Sequence, residues 1–180
     1  GKFFTFVSER NGWRHAYLYN VNGTLQKQLT LGNFDVTKVY GYDDVKQTLY
    51  YQSTENSPLQ RDVYSVDTKG KKTLLTDGKG THSAVFSATY AYFSDNASSL
   101  NKPNITYMRN SKGEILRILE DNATLMAEFN ALNLPKKEFF SFTTSEGVTL
   151  NGWLLKPSNS NSQQSYPTLM VQYSGPNSQD

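Results

Sequence analysis

The sequence predicts a mainly β fold: a partial β-propeller, then a short helix, then the opening strands of an α/β domain. Alternating strands recur around three glycine turns, at Gly23, Gly70 and Gly113. Aromatic residues, which favour pleated strands, are abundant, with 12 Tyr, 10 Phe and 2 Trp. The alternating pattern stops near residue 120. These features together favour consecutive antiparallel sheets followed by a different architecture.

Each glycine turn belongs to a repeated unit. In each unit one predicted strand lies further upstream, a second directly precedes the glycine turn and a third follows the turn. The strands of the first unit are 3–8, 16–20 and 25–30, those of the second are 49–53, 63–67 and 73–76, and those of the third are 91–94, 106–110 and 114–119. The glycines are 47 and then 43 residues apart, which matches four-stranded propeller blades. Residues 36–42 and 82–86 are predicted to close each blade. A β-sandwich with coincidental turn spacing is the alternative. The repeat therefore predicts the last two to three blades of a propeller.

A short helix is predicted where the repeat ends. Asn122 is placed to cap a helix over residues 123–132, and Pro135 prevents its continuation. Leu125, Phe129 and Leu132 fall on one helix face at helical spacing. We expect this apolar face to pack against an adjacent domain.

A hairpin and one further strand are predicted after the helix. The hairpin spans residues 137–144 and 148–155 around a turn at Gly147, and a polar surface loop follows at 158–165. A strand is predicted at 168–172, where Leu169, Met170 and Val171 are apolar without alternation, which is typical of a strand covered on both faces, as in an α/β sheet. Tyr173 would stand at the end of that strand, before a Gly-Pro turn, where α/β enzymes bind their ligands.

Composition and motifs exclude several classes of function. The net charge is only +2 and the basic residues are dispersed, so no nucleic-acid partner is expected. No apolar run approaches the length of a membrane span, and the absence of cysteine excludes disulfides and thiolate metal sites. Neither His15 nor His82 has a metal-ligand partner at a useful spacing, so we expect structural or surface roles for both. No cofactor or metal is expected.

Several segments resemble one known family. They are "NGWRHAYLY" (11–19), "RILEDN" (117–122), "LNGWLLKP" (150–157) and "VQYSGPNSQ" (171–179). In this order they resemble the dipeptidyl peptidase IV family, within the prolyl oligopeptidase group of serine peptidases, over essentially the whole chain. The resemblance implies an eight-bladed propeller above an α/β-hydrolase domain, and the release of N-terminal dipeptides after proline or alanine.

The resemblance also implies how this chain is organised. Residues 1–121 would be the C-terminal propeller blades, 122–135 a linker with the short helix, and 136–180 the incomplete start of the α/β-hydrolase catalytic domain. Tyr173 resembles the oxyanion-hole tyrosine of the family, and Pro176 would border the substrate pocket. The nucleophile, acid and base would lie downstream and a pair of substrate-binding glutamates upstream. Residues 1–180 alone are therefore expected to be inactive, although the parent protein would be an enzyme.

The resemblance further implies partners and a location. The substrate would be a peptide with proline or alanine at its second position, and the parent protein would be a homodimer. Together with the lack of cysteine, the resemblance indicates the bacterial periplasm or cell envelope. We expect the isolated fragment to self-associate through its exposed strand edges. Two alternatives stay open: another peptidase of the prolyl oligopeptidase group, such as an oligopeptidase or acylaminoacyl peptidase, and a non-enzymatic propeller that acts as a binding module.

Overall fold

The computed structural model describes residues 2–172 and confirms a mainly β chain. The chain divides into two compact units, Gly1–Asn133 and Leu134–Asp180. The described part of the first unit contains three antiparallel sheets and one helix, and that of the second contains one hairpin. No helix among residues 2–172 is long and apolar enough to cross a membrane.

The three sheets of the first unit follow one another along the chain. The first has three strands, β1 (Phe3–Ser8), β2 (His15–Asn20) and β3 (Leu25–Gln28). The second has four, β4 (Val36–Asp43), β5 (Thr48–Ser53), β6 (Asp62–Asp67) and β7 (Lys72–Leu74). The third also has four, β8 (Thr81–Phe86), β9 (Tyr92–Ser99), β10 (Lys102–Asn110) and β11 (Ile115–Glu120). Neighbouring strands are sequential in every sheet, which is the predicted organisation of propeller blades.

One feature of the predicted blades is wrong. Strands β4 and β8 were expected to close the preceding blade, but β4 pairs with β5 and β8 pairs with β9. Each therefore opens the sheet that follows it. Only four residues, 44–47, join β4 to β5, and a connection this short produces an antiparallel hairpin. The longer segment 29–35 instead runs from one sheet to the next.

The three glycine turns share one hydrogen-bonding pattern. In each, an Asx residue ends the strand and its carbonyl accepts the glycine N–H three residues later, at 2.9–3.0 Å. The pairs are Asn20 with Gly23, Asp67 with Gly70, and Asn110 with Gly113. All three glycines have φ between 85° and 89°, a conformation that costs glycine little. Local turn chemistry thus sets the register of each hairpin.

Two apolar clusters hold the sheets together. The first joins the first and second sheets through residues such as Leu18, Val36 and Leu49. The second joins the second and third sheets through Tyr50, Val63, Leu75, Ala84 and Phe93. Burying one large apolar side chain stabilises the folded state by about 1.5–3 kcal/mol, so these clusters provide most of the stabilisation of the packing between sheets.

The helix is confirmed, but its predicted cap is wrong. Helix α1 spans Ala123–Ala131, directly after Asn122. Asn122 has a left-handed backbone (φ 51°), and its side-chain Nδ2 donates to the Asn104 carbonyl at 2.6 Å instead of capping the helix. Asp121 Oδ1 instead accepts the Ala123 N–H at 2.9 Å. Every residue of α1 keeps some exposure, and packing of its apolar face against an adjacent domain stays a prediction.

The second unit contains the predicted hairpin. Strands β12 (Lys137–Thr143) and β13 (Thr149–Leu155) pair in register, with Phe139 opposite Trp153. The covered strand predicted at 168–172 is wrong for this structure, because these residues form no strand and Leu169, Met170 and Val171 are exposed. A strand needs a hydrogen-bonding neighbour, and no described strand pairs with this segment. An α/β-hydrolase assignment for this unit stays a prediction.

Candidate functional site

Tyr173, predicted to act in catalysis, and Pro176, predicted to bind substrate, both lie outside the described residues. Within residues 2–172 the main concentration of buried polar groups lies between the second and third sheets. We call it the inter-sheet polar cluster and define it by Asp62, Asp77, His82, Asp95 and Arg109.

Part of the cluster lies on a Leu-Thr-x-Gly sequence at 75–78, directly after β7. The same sequence occurs at 29–32, directly after β3. The threonine has the same role in both copies. Thr30 Oγ1 accepts the N–H of Ala16 at 2.9 Å, and Thr76 Oγ1 accepts the N–H of Val63 at 3.2 Å. The side chain thus extends the hydrogen-bonding ladder beyond the end of the last strand.

Different residues face the threonine in the two copies. In the first copy His15 is buried, with Nδ1 3.1 Å from Thr30 Oγ1 and Nε2 3.0 Å from the Gly32 carbonyl. Because a carbonyl only accepts, Nε2 is the donor there. His15 is thus buried and hydrogen-bonded through both ring nitrogens at the end of the first sheet.

In the second copy a carboxylate takes the place of the histidine. Asp62 is fully buried, and its Oδ1 accepts from Thr76 Oγ1 at 2.7 Å and from the Gly78 N–H at 3.1 Å. The other oxygen, Oδ2, is buried without a hydrogen-bond partner in the part of the chain that the structure describes. A buried charge with an unsatisfied oxygen is costly unless a positive group approaches it.

The side chain of His82, the second residue of β8, lies between two other carboxylates. Its Nδ1 lies 2.9 Å from Asp95 Oδ1, and its Nε2 lies 2.9 Å from Asp77 Oδ1 and 3.0 Å from the Lys79 carbonyl. Since both ring nitrogens face acceptors, both donate and the ring is an imidazolium in this arrangement. Burial alone lowers the pKa of His82, but hydrogen bonding and charge from Asp95, with the charge of Asp77, outweigh burial and raise it.

Arg109 completes the cluster from β10. Its Nε donates to Asp95 Oδ2 at 2.8 Å, and its Nη1 donates to the Gly113 carbonyl at 2.8 Å. Asp95 is fully buried and Arg109 is 5% exposed. The buried Asp95 carboxylate therefore contacts two cationic groups, as a charge in the interior requires.

The cluster bridges two sheets. Asp62 and Asp77 belong to the second sheet and the segment after it, whereas His82 belongs to the third. One ligand atom from each of these three side chains lies within 4.8 Å of the others. Sequence reasoning missed this grouping, because Asp62 lies 20 residues before His82 and matches no ligand spacing. The aspartate at the variable position of the second Leu-Thr-x-Gly copy, Asp77, was the nearest signal in the sequence.

Aromatic side chains join the same two sheets on another side. Tyr40 of β4 accepts the Ala84 N–H through its hydroxyl at 3.0 Å, and the rings of Tyr50 and Tyr90 stack with centroids 4.7 Å apart. Burial raises the pKa of Tyr40 although the Ala84 hydrogen bond opposes it, so the phenol is neutral near pH 7. The joint between the sheets is thus both polar and aromatic.

Comparison with known proteins places this architecture in a family. The family model of the dipeptidyl peptidase IV (DPP IV) N-terminal region matches residues 1–104. The chain belongs to the dipeptidyl peptidase IV family. This confirms the resemblance found in the sequence.

Relatives within the dipeptidyl peptidase IV family match almost the whole chain. The crystal structure of Porphyromonas gingivalis dipeptidyl peptidase 4 is 45% identical with a TM-score of 0.93, and the match covers 98% of this chain and 25% of that one. A probable dipeptidyl peptidase 4 of Trichophyton verrucosum and the dipeptidyl peptidase 4 of Trichophyton rubrum are each 33% identical over 99% of this chain and 24% of theirs. The chain spans about a quarter of the length of these relatives.

Proposed function

We propose that the protein containing this chain is a serine exopeptidase that releases N-terminal dipeptides after proline or alanine. The observation that supports this best is the 45% identity to the Porphyromonas gingivalis dipeptidyl peptidase 4, at a TM-score of 0.93 over 98% of the chain. The sequence adds the Tyr-x-Gly-Pro element at 173–176, on which the family resemblance also rests. In this proposal the three sheets are propeller blades and residues 136–180 begin the catalytic domain.

Tyr173 is the catalytic residue that this chain contributes under the proposal. A tyrosine hydroxyl has a pKa of about 10, so it keeps its proton at neutral pH and can donate it in a hydrogen bond. During acyl transfer the substrate carbonyl oxygen gains negative charge, and a donor aimed at that oxygen lowers the barrier. Pro176 is the substrate-binding residue of this chain under the same proposal. The nucleophilic serine and its acid–base partners come from sequence beyond residues 1–180, since no Gly-x-Ser-x-Gly elbow occurs in this chain.

The experiment that tests the role of Tyr173 is Tyr173→Phe in the intact parent protein, assayed on an Xaa-Pro chromogenic dipeptide. The substitution removes the donor and keeps the ring. We expect kcat and kcat/KM to fall together by about 10²-fold or more, because the hydrogen bond strengthens only in the transition state.

Tyr166→Phe is the matched control, since among residues 2–172 the Tyr166 hydroxyl binds neighbouring loop residues, accepting from the Asn161 N–H and donating to Gln164. It should leave both constants unchanged. A loss of less than about threefold in Tyr173→Phe, or a change in KM alone, would contradict an oxyanion role. A parent that cleaves acylated or internal peptide bonds but no Xaa-Pro substrate would be another peptidase of the same group.

The isolated 1–180 polypeptide provides a second test. Because this segment lacks the serine elbow, we expect no hydrolysis of the Xaa-Pro substrate and no labelling by a fluorophosphonate serine probe. The intact parent protein, labelled in parallel, is the positive control. Stoichiometric labelling of residues 1–180 would show that a reactive serine lies within them.

A further inference from the structure

Three potential metal ligands converge at the joint between the second and third sheets. They are the Asp62 carboxylate, the Asp77 carboxylate and His82 Nε2, with one ligand atom of each within 4.8 Å of the others. The closest pair, His82 Nε2 and Asp77 Oδ1, is 2.9 Å apart. Tetrahedral ligands held at about 2.0–2.2 Å from one Zn²⁺ ion lie about 3.3–3.6 Å apart, so these two atoms need to separate by about half an ångström to hold the ion. The Lys79 carbonyl, 3.0 Å from Nε2, faces the same space.

Asp62 gives the independent observation that this space favours a cation. Its side chain is fully buried, Oδ1 is occupied by Thr76 and Gly78, and Oδ2 has no hydrogen-bond partner among the described residues. An unsatisfied carboxylate oxygen in the interior is destabilising unless it coordinates a metal or meets a charge. The hydrogen bonds to Oδ1 keep the carboxylate oriented.

The other ring nitrogen of His82, Nδ1, has the kind of partner that is found in many metal sites. Nδ1 lies 2.9 Å from the buried Asp95 carboxylate, which Arg109 also contacts at 2.8 Å. A metal-binding histidine usually donates its other ring N–H to a carboxylate, which fixes the tautomer and turns the free nitrogen lone pair toward the metal. Asp95 can accept the Nδ1 proton of His82 in a hydrogen bond and so leave Nε2 to bind the metal.

The composition of the cluster also favours a cation. Three carboxylates, those of Asp62, Asp77 and Asp95, lie near His82, and Asp95 also contacts the guanidinium of Arg109. Asp77 is mostly exposed, with 60% of its side chain accessible, so the site has a route to solvent.

We propose that Asp62, Asp77 and His82 Nε2 bind a divalent transition-metal ion of the Zn²⁺ type, which ties the second sheet to the third. The ion takes the place of the Nε2 proton, which passes to solvent on binding. One nitrogen and two carboxylate ligands suit Zn²⁺ and its neighbours better than Ca²⁺, which prefers oxygen ligands alone. The role is structural and does not depend on the proposed peptidase activity.

The test is Zn²⁺ binding to the intact protein, stripped with EDTA and measured by calorimetry and by metal analysis after dialysis. We expect one Zn²⁺ per chain at this site and a rise of several degrees in the thermal unfolding midpoint. Co²⁺ bound in place of Zn²⁺ should give visible absorption bands that indicate a nitrogen and oxygen ligand set.

Two variants test the assignment to these residues. Asp77→Asn removes an exposed ligand, so the fold should survive, and we expect the affinity to fall at least about tenfold and the Co²⁺ spectrum to change. Asp44→Asn removes an exposed carboxylate from a turn of the second sheet and should alter neither. Absence of Zn²⁺ binding to the unmodified protein, or equal affinity and an unchanged Co²⁺ spectrum in Asp77→Asn, would overturn the proposal.

Discussion

Asp43 shows how a nearly buried charge is stabilised by its own turn. Its Oδ1 accepts the N–H groups of Val45 and Lys46 at 2.9 and 3.0 Å, and its Oδ2 lies 3.2 Å from Lys46 Nζ. Burial by itself raises the pKa of Asp43, but the hydrogen bonds and the charge of Lys46 together lower it below its ordinary value. The ionised form therefore stabilises the folded state.

The lowered pKa of Asp43 predicts a pH-dependent contribution to stability. The contribution is complete above the unfolded-state pKa of about 3.9 and disappears as pH falls through the lower folded-state pKa. We expect Asp43→Asn to lower the free energy of unfolding by about 1 kcal/mol at pH 7. The difference in this free energy between the variant and the unmodified protein should disappear as the pH falls below about 4. Urea unfolding between pH 7 and pH 2 measures this. Asp44→Asn is the control, and a difference for Asp43→Asn that persists at pH 2 would contradict the assignment.

The hairpin turns differ in how closely a second sheet approaches them. Gly70 and Gly113 have nearly equal φ angles, 89° and 86°. A Cβ at Gly70 would meet no heavy atom within 4 Å, whereas a Cβ at Gly113 would lie 2.5 Å from the Leu75 carbonyl oxygen. The obstacle is backbone from the neighbouring sheet. Gly113 is therefore required for sheet packing as well as for its turn.

This contrast predicts unequal effects of the same substitution. Gly70→Ala places alanine in the left-handed region and should cost about 1–2 kcal/mol. Gly113→Ala adds a steric clash between sheets, and we expect a further loss of about 1–3 kcal/mol. Chemical denaturation of the two variants measures the difference. Equal losses would mean that the two sheets do not approach as closely as the structure shows.

Apolar side chains remain exposed along the outer strands of the first unit. Strand β1 is an edge of the first sheet and β11 an edge of the third. Phe6 on β1 and Ile118 on β11 are 52% and 53% exposed. Unpaired edges with apolar side chains are templates for association with another chain.

Exposed edges predict that the isolated 1–180 polypeptide self-associates as its concentration rises. Gel filtration with light scattering should show species larger than a monomer. The double variant Phe6→Lys, Ile118→Lys should shift the distribution toward the monomer, because edge lysines oppose strand pairing. Val45→Lys changes a 92% exposed side chain in a turn and should have no effect. A compact monomer at all concentrations would contradict the prediction.

The amino-acid sequence by itself determined the family and the hairpins built around glycine turns. Alternation and turn chemistry act between residues only a few positions apart, so 16–20 and 25–30 around Gly23 could be recognised without the fold. The same holds for the hairpin around Gly147. The two copies of Leu-Thr-x-Gly were also visible in the sequence, although their function was not.

The tertiary structure decided which strands share a sheet and which side chains meet between sheets. Alternation alone left strands β4 and β8 two possible partners each, and the structure pairs them with β5 and β9. The Asn122 side chain donates to the Asn104 carbonyl of β10 instead of capping its helix, because the start of the helix lies beside that strand in the fold. His82 meets Asp62, 20 residues away, only because β6 and β8 lie in adjacent sheets. Such contacts depend on long-range packing, which local sequence patterns do not encode.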